Sequence, residues 1–177
     1  GPGTVVRVRC RQAHHRSMVG SGRWRERHHW WLSDLMSIPF GVHIPFVDNL
    51  GFTLEKFEDG TSELHYSPRA EHHNSFAITH GGAVMTLLDV VMATAARSVE
   101  QEMGVVTIEM KTSFMRPAKT TGDEHLVAKG LLLHRTKTMA FTEGKVYDAA
   151  GQLCAHATGT FKYLKRTTST SSPISTD

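Results

Sequence analysis

Residues 73–99 read HNSFAITHGGAVMTLLDVVMATAARSV, a polar loop that runs into the longest apolar helical pattern of the chain. From His80 to about Val99, the residues Val84, Leu87, Leu88, Val91, Met92 and Ala95 recur at helical spacing, which predicts one long buried helix. Thr79 stands where it can cap that helix, and Gly81 and Gly82 place free backbone N–H groups and the positive dipole end in its first turn. Asp89 interrupts the apolar run between Leu87-Leu88 and Val90-Val91. A carboxylate so flanked is solvated, paired at an interface, or chemically employed.

Around this helix the pattern changes to strands. Gly51 to Phe57 and Thr61 to Ser67 flank Glu58-Asp59-Gly60, a hairpin turn signal. Ahead of them Pro39, Gly41 and Pro45 keep the entry segment irregular, with Ile44, Phe46 and Val47 as anchors of a short helical turn before Gly51. After the helix, Val106, Ile108, Met110 and Phe114 alternate with Thr107, Glu109, Lys111 and Ser113, a long strand ended by Pro117. Runs over Glu124 to Leu133, Thr138 to Tyr147 and Leu153 to Phe161 make three more. Two strands, one long helix and four antiparallel strands predict an α+β fold in which a single sheet wraps a central helix.

Composition sets the limits of the domain. A chain of 177 residues, 40% hydrophobic, suits one domain with spare length in its tails. Seven arginines, Arg7, Arg9, Arg11, Arg16, Arg23, Arg25 and Arg27, crowd the beginning and account for much of the basic balance. Residues 1–34 therefore read as a basic extension, 35–164 as the domain and 165–177 as a polar tail. Gly1-Pro2-Gly3 reads as a processed or engineered start, with Met18 or Met36 as the expected natural beginning. The first 31 residues have no apolar core of a secretory signal. Cys10 and Cys154 are too few and too far apart for a disulfide framework or zinc knuckle, so a reducing, cytoplasmic setting is expected. The apolar stretch Ala77 to Ala96 contains His80, two glycines and Asp89, and reads as a buried helix, not a membrane span.

Helical spacing also bears on chemistry. Gly82 and Asp89 are two turns apart, so they share a face about 10 Å from each other. One chain could hardly bring both to one carbon atom. Two such helices packed antiparallel about a twofold axis could, with the glycine end of one facing the aspartate of the other. Gly81 and Gly82 are then a candidate oxyanion hole. Asn74 by default makes an Asx turn, and His80 by default fixes the loop or caps the helix. His72, His73 and His80 match no standard metal site, and Ser75 lacks a nucleophile elbow. The sequence has no phosphate-binding glycine loop or dinucleotide fingerprint.

Asn74 six residues before His80-Gly81-Gly82, Asp89 nine after that histidine, and Val105-Val106-Thr107-Ile108-Glu109-Met110 leading to Phe114-Met115-Arg116-Pro117-Ala118 together resemble hotdog-fold acyl-CoA thioesterases. The resemblance is to the branch of the phenylacetate-degradation thioesterases and their mammalian relatives, and it covers most of Phe46 to Phe161. It implies hydrolysis of a thioester to a free acid and coenzyme A between two subunits, with no metal and no organic cofactor. It implies Asp89 as the catalytic carboxylate, acting as base or nucleophile, and the Gly82 N–H, with Gly81 beside it, as oxyanion donor. Asn74 would position the thioester or water from the opposite subunit, Thr107 would stand by the carboxylate, and His80 would orient the loop.

For the substrate, Arg116, Lys119, Arg135 and Lys137 are candidates for the coenzyme A phosphates, and Phe46, Leu50 and Met85 for the acyl group. Thr107 poses a conflict, because simple alternation turns it away from the face of Val106 and Ile108. Either a homotetramer stacks two sheets and covers the apolar face, or a bulge changes the phase. The expected partners are acyl-CoA and further copies of the chain, as a homodimer or homotetramer, without membrane or nucleic acid. Two other functions compete: a hotdog hydratase or dehydratase, and an acyl-CoA-sensing module whose basic arm contacts nucleic acid.

Overall fold

The computed structural model describes residues 37–166. The expectations for residues 1–34, for Cys10, for the start of the chain and for the tail beyond residue 166 lie outside the described residues. Within them the order is α1 (Pro45–Leu50), β1 (Thr53–Glu58), β2 (Thr61–Tyr66), a single 3-10 turn (Ala70–His72), α2 (Gly81–Arg97), β3 (Met103–Phe114), β4 (Leu126–Arg135), β5 (Met139–Tyr147) and β6 (Leu153–Lys165). One antiparallel sheet runs β1-β2-β4-β5-β6-β3. It curls around α2, which is the hotdog architecture.

Local chemistry explains the elements. Pro45 occupies the first turn of α1 and Gly51 ends it in the left-handed region, at φ 76°. Asp59 and Gly60, at φ 46° and 75°, form the two-residue hairpin turn that closes β1 on β2. The helix α2 starts at Gly81 and ends at Arg97, two residues short of the expected end, where Ser98 takes over as cap. The Ser98 hydroxyl accepts the Gly60 N–H at 2.8 Å and donates to Ala95 C=O at 2.8 Å, which ties the helix end to the β1–β2 turn.

What lets the sheet wrap so closely is a floor of small residues. Ala128, Ala140, Ala155 and Ala157 are buried on its inner face. Gly130 and Gly144 pair across β4 and β5. A Cβ on Gly130 would lie 2.4 Å from Val91 C=O, and one on Gly144 would lie 2.9 Å from Met92 Cγ. The same approach lets Ser62 donate to Val91 C=O at 2.6 Å. Above that floor Leu87, Leu88, Val91 and Met92 are fully buried with Phe161, Leu64 and Tyr66, each large apolar side chain contributing about 1.5–3 kcal/mol.

The structure resolves the conflict over Thr107 with a bulge. In β3, Thr107 pairs with Phe161 and Glu109 with Thr160, so Ile108 is an extra residue. Thr107 thus shares the inner face with Val105, and Met110 and Phe114 resume it after the bulge. The expectation that Val106, Ile108, Met110 and Phe114 share one face is therefore corrected: Val106 and Ile108 point outward and are 43% and 55% exposed. Among the described residues β3 is also an open edge of the sheet, twelve residues long. None of the described helices is long and apolar enough to cross a membrane.

Candidate active site

The loop before α2 is fixed by its own backbone. Asn74 Oδ1 accepts the N–H groups of Phe76 (2.9 Å) and Ile78 (3.3 Å), and Asn74 N–H donates to Ile78 C=O at 2.8 Å. Ala77 takes up the reversal at φ 54°. The carboxamide oxygen is thus committed to an Asx turn, which leaves the NH2 group to face a ligand. His73 and Thr79 bridge across the base of the loop.

His80, not Thr79, caps the helix. Its N–H donates to His72 C=O at 2.8 Å, and its Nδ1 accepts the Gly82 N–H at 2.9 Å, so its ring proton sits on Nε2. Thr79 is instead buried, with its hydroxyl unpartnered among the described residues. The cap also alters the expected oxyanion site. Gly82 N–H is already engaged by the imidazole, whereas Gly81 N–H has no acceptor among the described residues. At a helix start that leaves Gly81 as the open donor.

Asp89 lies half-buried in the middle of α2, at a cavity of about 700 Å3 between this helix, β3 and the entry segment. Thr107 Oγ1 donates to Asp89 Oδ1 at 2.6 Å. Burial pushes the Asp89 carboxyl above its usual range, and the Thr107 hydroxyl draws it partly back. The bulge at Ile108 makes this bond possible, since without it the phase of β3 could not serve both Thr107 and the inward Met110 and Phe114. Phe46 and Met85 line the cavity as expected. Leu50 does not, because it is packed into the core at 6% exposure.

Gly81 and Asn74 open elsewhere. They border a second cavity of about 370 Å3 with Phe114, Arg116 and Cys154, and no described residue borders both spaces. A single chain therefore keeps Asp89 apart from Asn74 and Gly81. Its expected coenzyme A cations are also separated. Arg116 follows β3 beside the second cavity, where its guanidinium donates to Leu153 C=O at 3.0 Å. Lys137 lies exposed in the β4–β5 turn, next to Thr138, whose C=O accepts Tyr163 N–H. Tyr163 pairs with Val105 at the other end of β3. Arg135 is occupied by an ion pair with Glu100, and Lys119 is exposed.

Two charged cavity residues were missed in the sequence. Arg97 and Arg166 line the Asp89 cavity. Counting in fours along the helix, Met85, Asp89, Ala93 and Arg97 form one stripe, so Arg97 was findable from Asp89. Arg166 reaches the cavity through tertiary structure and has no such signal.

Comparison with known proteins places this arrangement. The sequence pattern of the thioesterase superfamily matches residues 76–155. A protein of Saccharolobus solfataricus named provisionally as an esterase is 30% identical over 122 residues, which cover 69% of this chain and 82% of that protein. Human acyl-coenzyme A thioesterase 13 is 34% identical over 86 residues, 48% of this chain and 60% of that protein. The conserved Pseudomonas aeruginosa protein PA5202 superposes with a TM-score of 0.64 at 26% identity, covering 70% of this chain and 97% of that one. The family pattern spans α2 and the strands β3 to β5, and with these matches the chain belongs to the thioesterase superfamily and is a thioester hydrolase.

Proposed function

We propose that residues 35–164 hydrolyse acyl-coenzyme A to a free acid and coenzyme A, in sites that two protomers build together. The reading rests above all on one observation: Asp89 with Thr107, and Gly81 with Asn74, open into two separate cavities of the same chain. Gly81 and Asp89 are eight residues apart on a straight helix, about 12 Å. Antiparallel packing of two α2 helices would bring Gly81 of one protomer opposite Asp89 of the other. The open edge of β3 supplies the backbone groups for such a pairing. Antiparallel pairing also brings opposite ends of two β3 strands together, so that Arg116 of one chain and Lys137 of the other could serve one coenzyme A.

In this site the thioester carbonyl oxygen accepts the Gly81 N–H at the positive end of α2. Asn74, through its NH2, positions the thioester or the water. Asp89 Oδ1 stays on Thr107 while the carboxylate takes a proton from water, and the oxygen of that water attacks the carbonyl carbon. The tetrahedral intermediate then collapses, the C–S bond breaks, and the proton returns from Asp89 to the departing thiolate. A carboxyl raised by burial is a better base for this step than an exposed one. Phe46 and Met85 contact the acyl group next to its carbonyl carbon. An outward row of Ile108, Phe141 and Leu133, all more than a third exposed, offers a face on which two dimers could stack as a tetramer.

Asp89→Asn should lower thiol release from acyl-coenzyme A by about a thousandfold or more while the chain stays folded. Turnover at the wild-type rate would remove the proposal. In a single turnover of wild type in heavy-oxygen water, label entering the Asp89 carboxyl would show it to be the nucleophile and contradict the base role.

A further inference from the structure

Beyond Asp89 the same cavity is lined by two arginines, Arg97 and Arg166. Arg97 is eight residues further along α2, about 12 Å, and the small side chain of Ala93 leaves the wall between them open. Arg97 is half-buried. Its two terminal nitrogens reach Phe40 C=O at 3.4 Å each, and its guanidinium carbon lies 5.8 Å from the centre of the Phe57 ring. Arg166 donates to Gly41 C=O at 3.0 Å. Neither has a carboxylate partner among the described residues, in contrast to Arg69 with Glu71 and Arg135 with Glu100.

Two cations facing one partly desolvated space destabilise each other. Burial, followed by the charge of Arg166, lowers the proton affinity of Arg97. One carbonyl oxygen at 3.4 Å, shared by two nitrogens, offers Arg97 little compensation, and an anion would offer a good deal. Between Asp89 and this end Val42, Val90, Ala93 and Val105 line the wall, and the one hydroxyl there, of Thr94, is taken up by Val90 C=O at 2.6 Å. Such a wall suits a polymethylene chain better than the amides of the pantetheine arm.

We infer that Arg97 and Arg166 receive a negatively charged terminus on the acyl group, so that the favoured substrates are coenzyme A thioesters of medium-length dicarboxylic acids. This rests on the reading of Asp89 as the hydrolytic centre. The thioester lies at Asp89, the methylene chain runs along the Ala93 stripe, and the distal carboxylate takes the guanidinium hydrogen bonds. Methyl-ended acyl groups of the same length would leave both cations unpaired.

The test compares kcat/KM for carboxyl-ended and methyl-ended acyl-coenzyme A of matched chain length. Wild type is expected to favour the carboxyl-ended series by about tenfold or more. Arg97→Gln should lower that preference about 10- to 100-fold, and Arg166→Gln should lower it less, as suits a more exposed group. A wild-type preference for methyl-ended chains overturns the inference, as does an Arg97→Gln variant that slows both series equally. It is equally overturned if Arg97→Gln weakens inhibition by free coenzyme A and leaves the preference intact, since the cations then serve phosphates. Should neither series be hydrolysed, the hydrolytic reading fails first. Calorimetric titration with free dicarboxylic and monocarboxylic acids of equal length then decides: selective binding of the diacid, lost in Arg97→Gln, upholds the anion site, and equal binding removes it.

Discussion

The two sides of α2 are built from the same seventeen residues and obey opposite rules. Toward the sheet the helix backbone approaches so closely that β4 and β5 carry glycine beneath it, and Ser62 takes up Val91 C=O. Toward β3 and the entry segment it leaves a cavity of about 700 Å3, a half-buried carboxylate and an arginine with no carboxylate partner among the described residues. The packed side provides the stability. The open side holds groups that cost stability and are useful for that reason.

Substituting glycines on the two sides should break the comparison most sharply. Gly130→Ala places a methyl 2.4 Å from a helix carbonyl, and backbone cannot yield as a side chain does. We expect a loss of about 3 kcal/mol or more, on the order of 10 °C in a thermal melt; an unchanged melting temperature would mean that α2 does not sit where described. At Gly81 a methyl meets only the Phe114 ring, with Cζ at 3.5 Å and Cε1 at 3.8 Å, ordinary contact, so Gly81→Ala should leave the melt nearly unaltered.

Next comes Asp89, whose large effect belongs to activity, with a reversed effect on stability. Because burial raises its carboxyl in the folded state, its contribution to stability is full below the unfolded pKa and is lost as pH rises through the folded one. Asp89→Asn, which keeps an oxygen for Thr107, should therefore melt slightly higher than wild type at neutral pH and gain nothing in acid. A lower melting temperature at neutral pH would place Asp89 among the stabilising residues.

Thr107→Val is the smallest change. It removes the one hydrogen bond that draws the Asp89 carboxyl down, so the acid limb of the rate profile should move to higher pH, with a loss of about tenfold in kcat below neutrality. A limb at the same pH would show that Thr107 only packs.

Much of this contrast was legible in the sequence. The 3.6-residue period gave α2, and the Asp59-Gly60 pair gave the hairpin, because both are local. Asp89 stood out as a charge in an apolar run. The cap was misassigned because both Thr79 and His80 can accept an N–H, and only the turn geometry of His72 to Thr79 decides between them. The phase of β3 was hidden because the bulge at Ile108 is set by pairing with β6, far along the chain. The glycine floor went unread for the same reason, since Gly130 and Gly144 acquire meaning only beneath a helix some forty or fifty residues earlier in the sequence.

The central claim, that two chains share each site, is tested most directly by mixing two inactive variants. Gly81→Pro removes one N–H at the first position of α2, where proline is well tolerated, and His80 already has the extended ψ of 136° that a following proline requires. It should lower kcat about 10²- to 10³-fold with the fold intact. Co-expressed Asp89→Asn and Gly81→Pro chains, purified as the mixed dimer, pair one intact Asp89 with one intact Gly81. The account predicts that this dimer recovers about half of the wild-type activity per dimer, one site in two. A mixed dimer as inactive as either parent would contradict it.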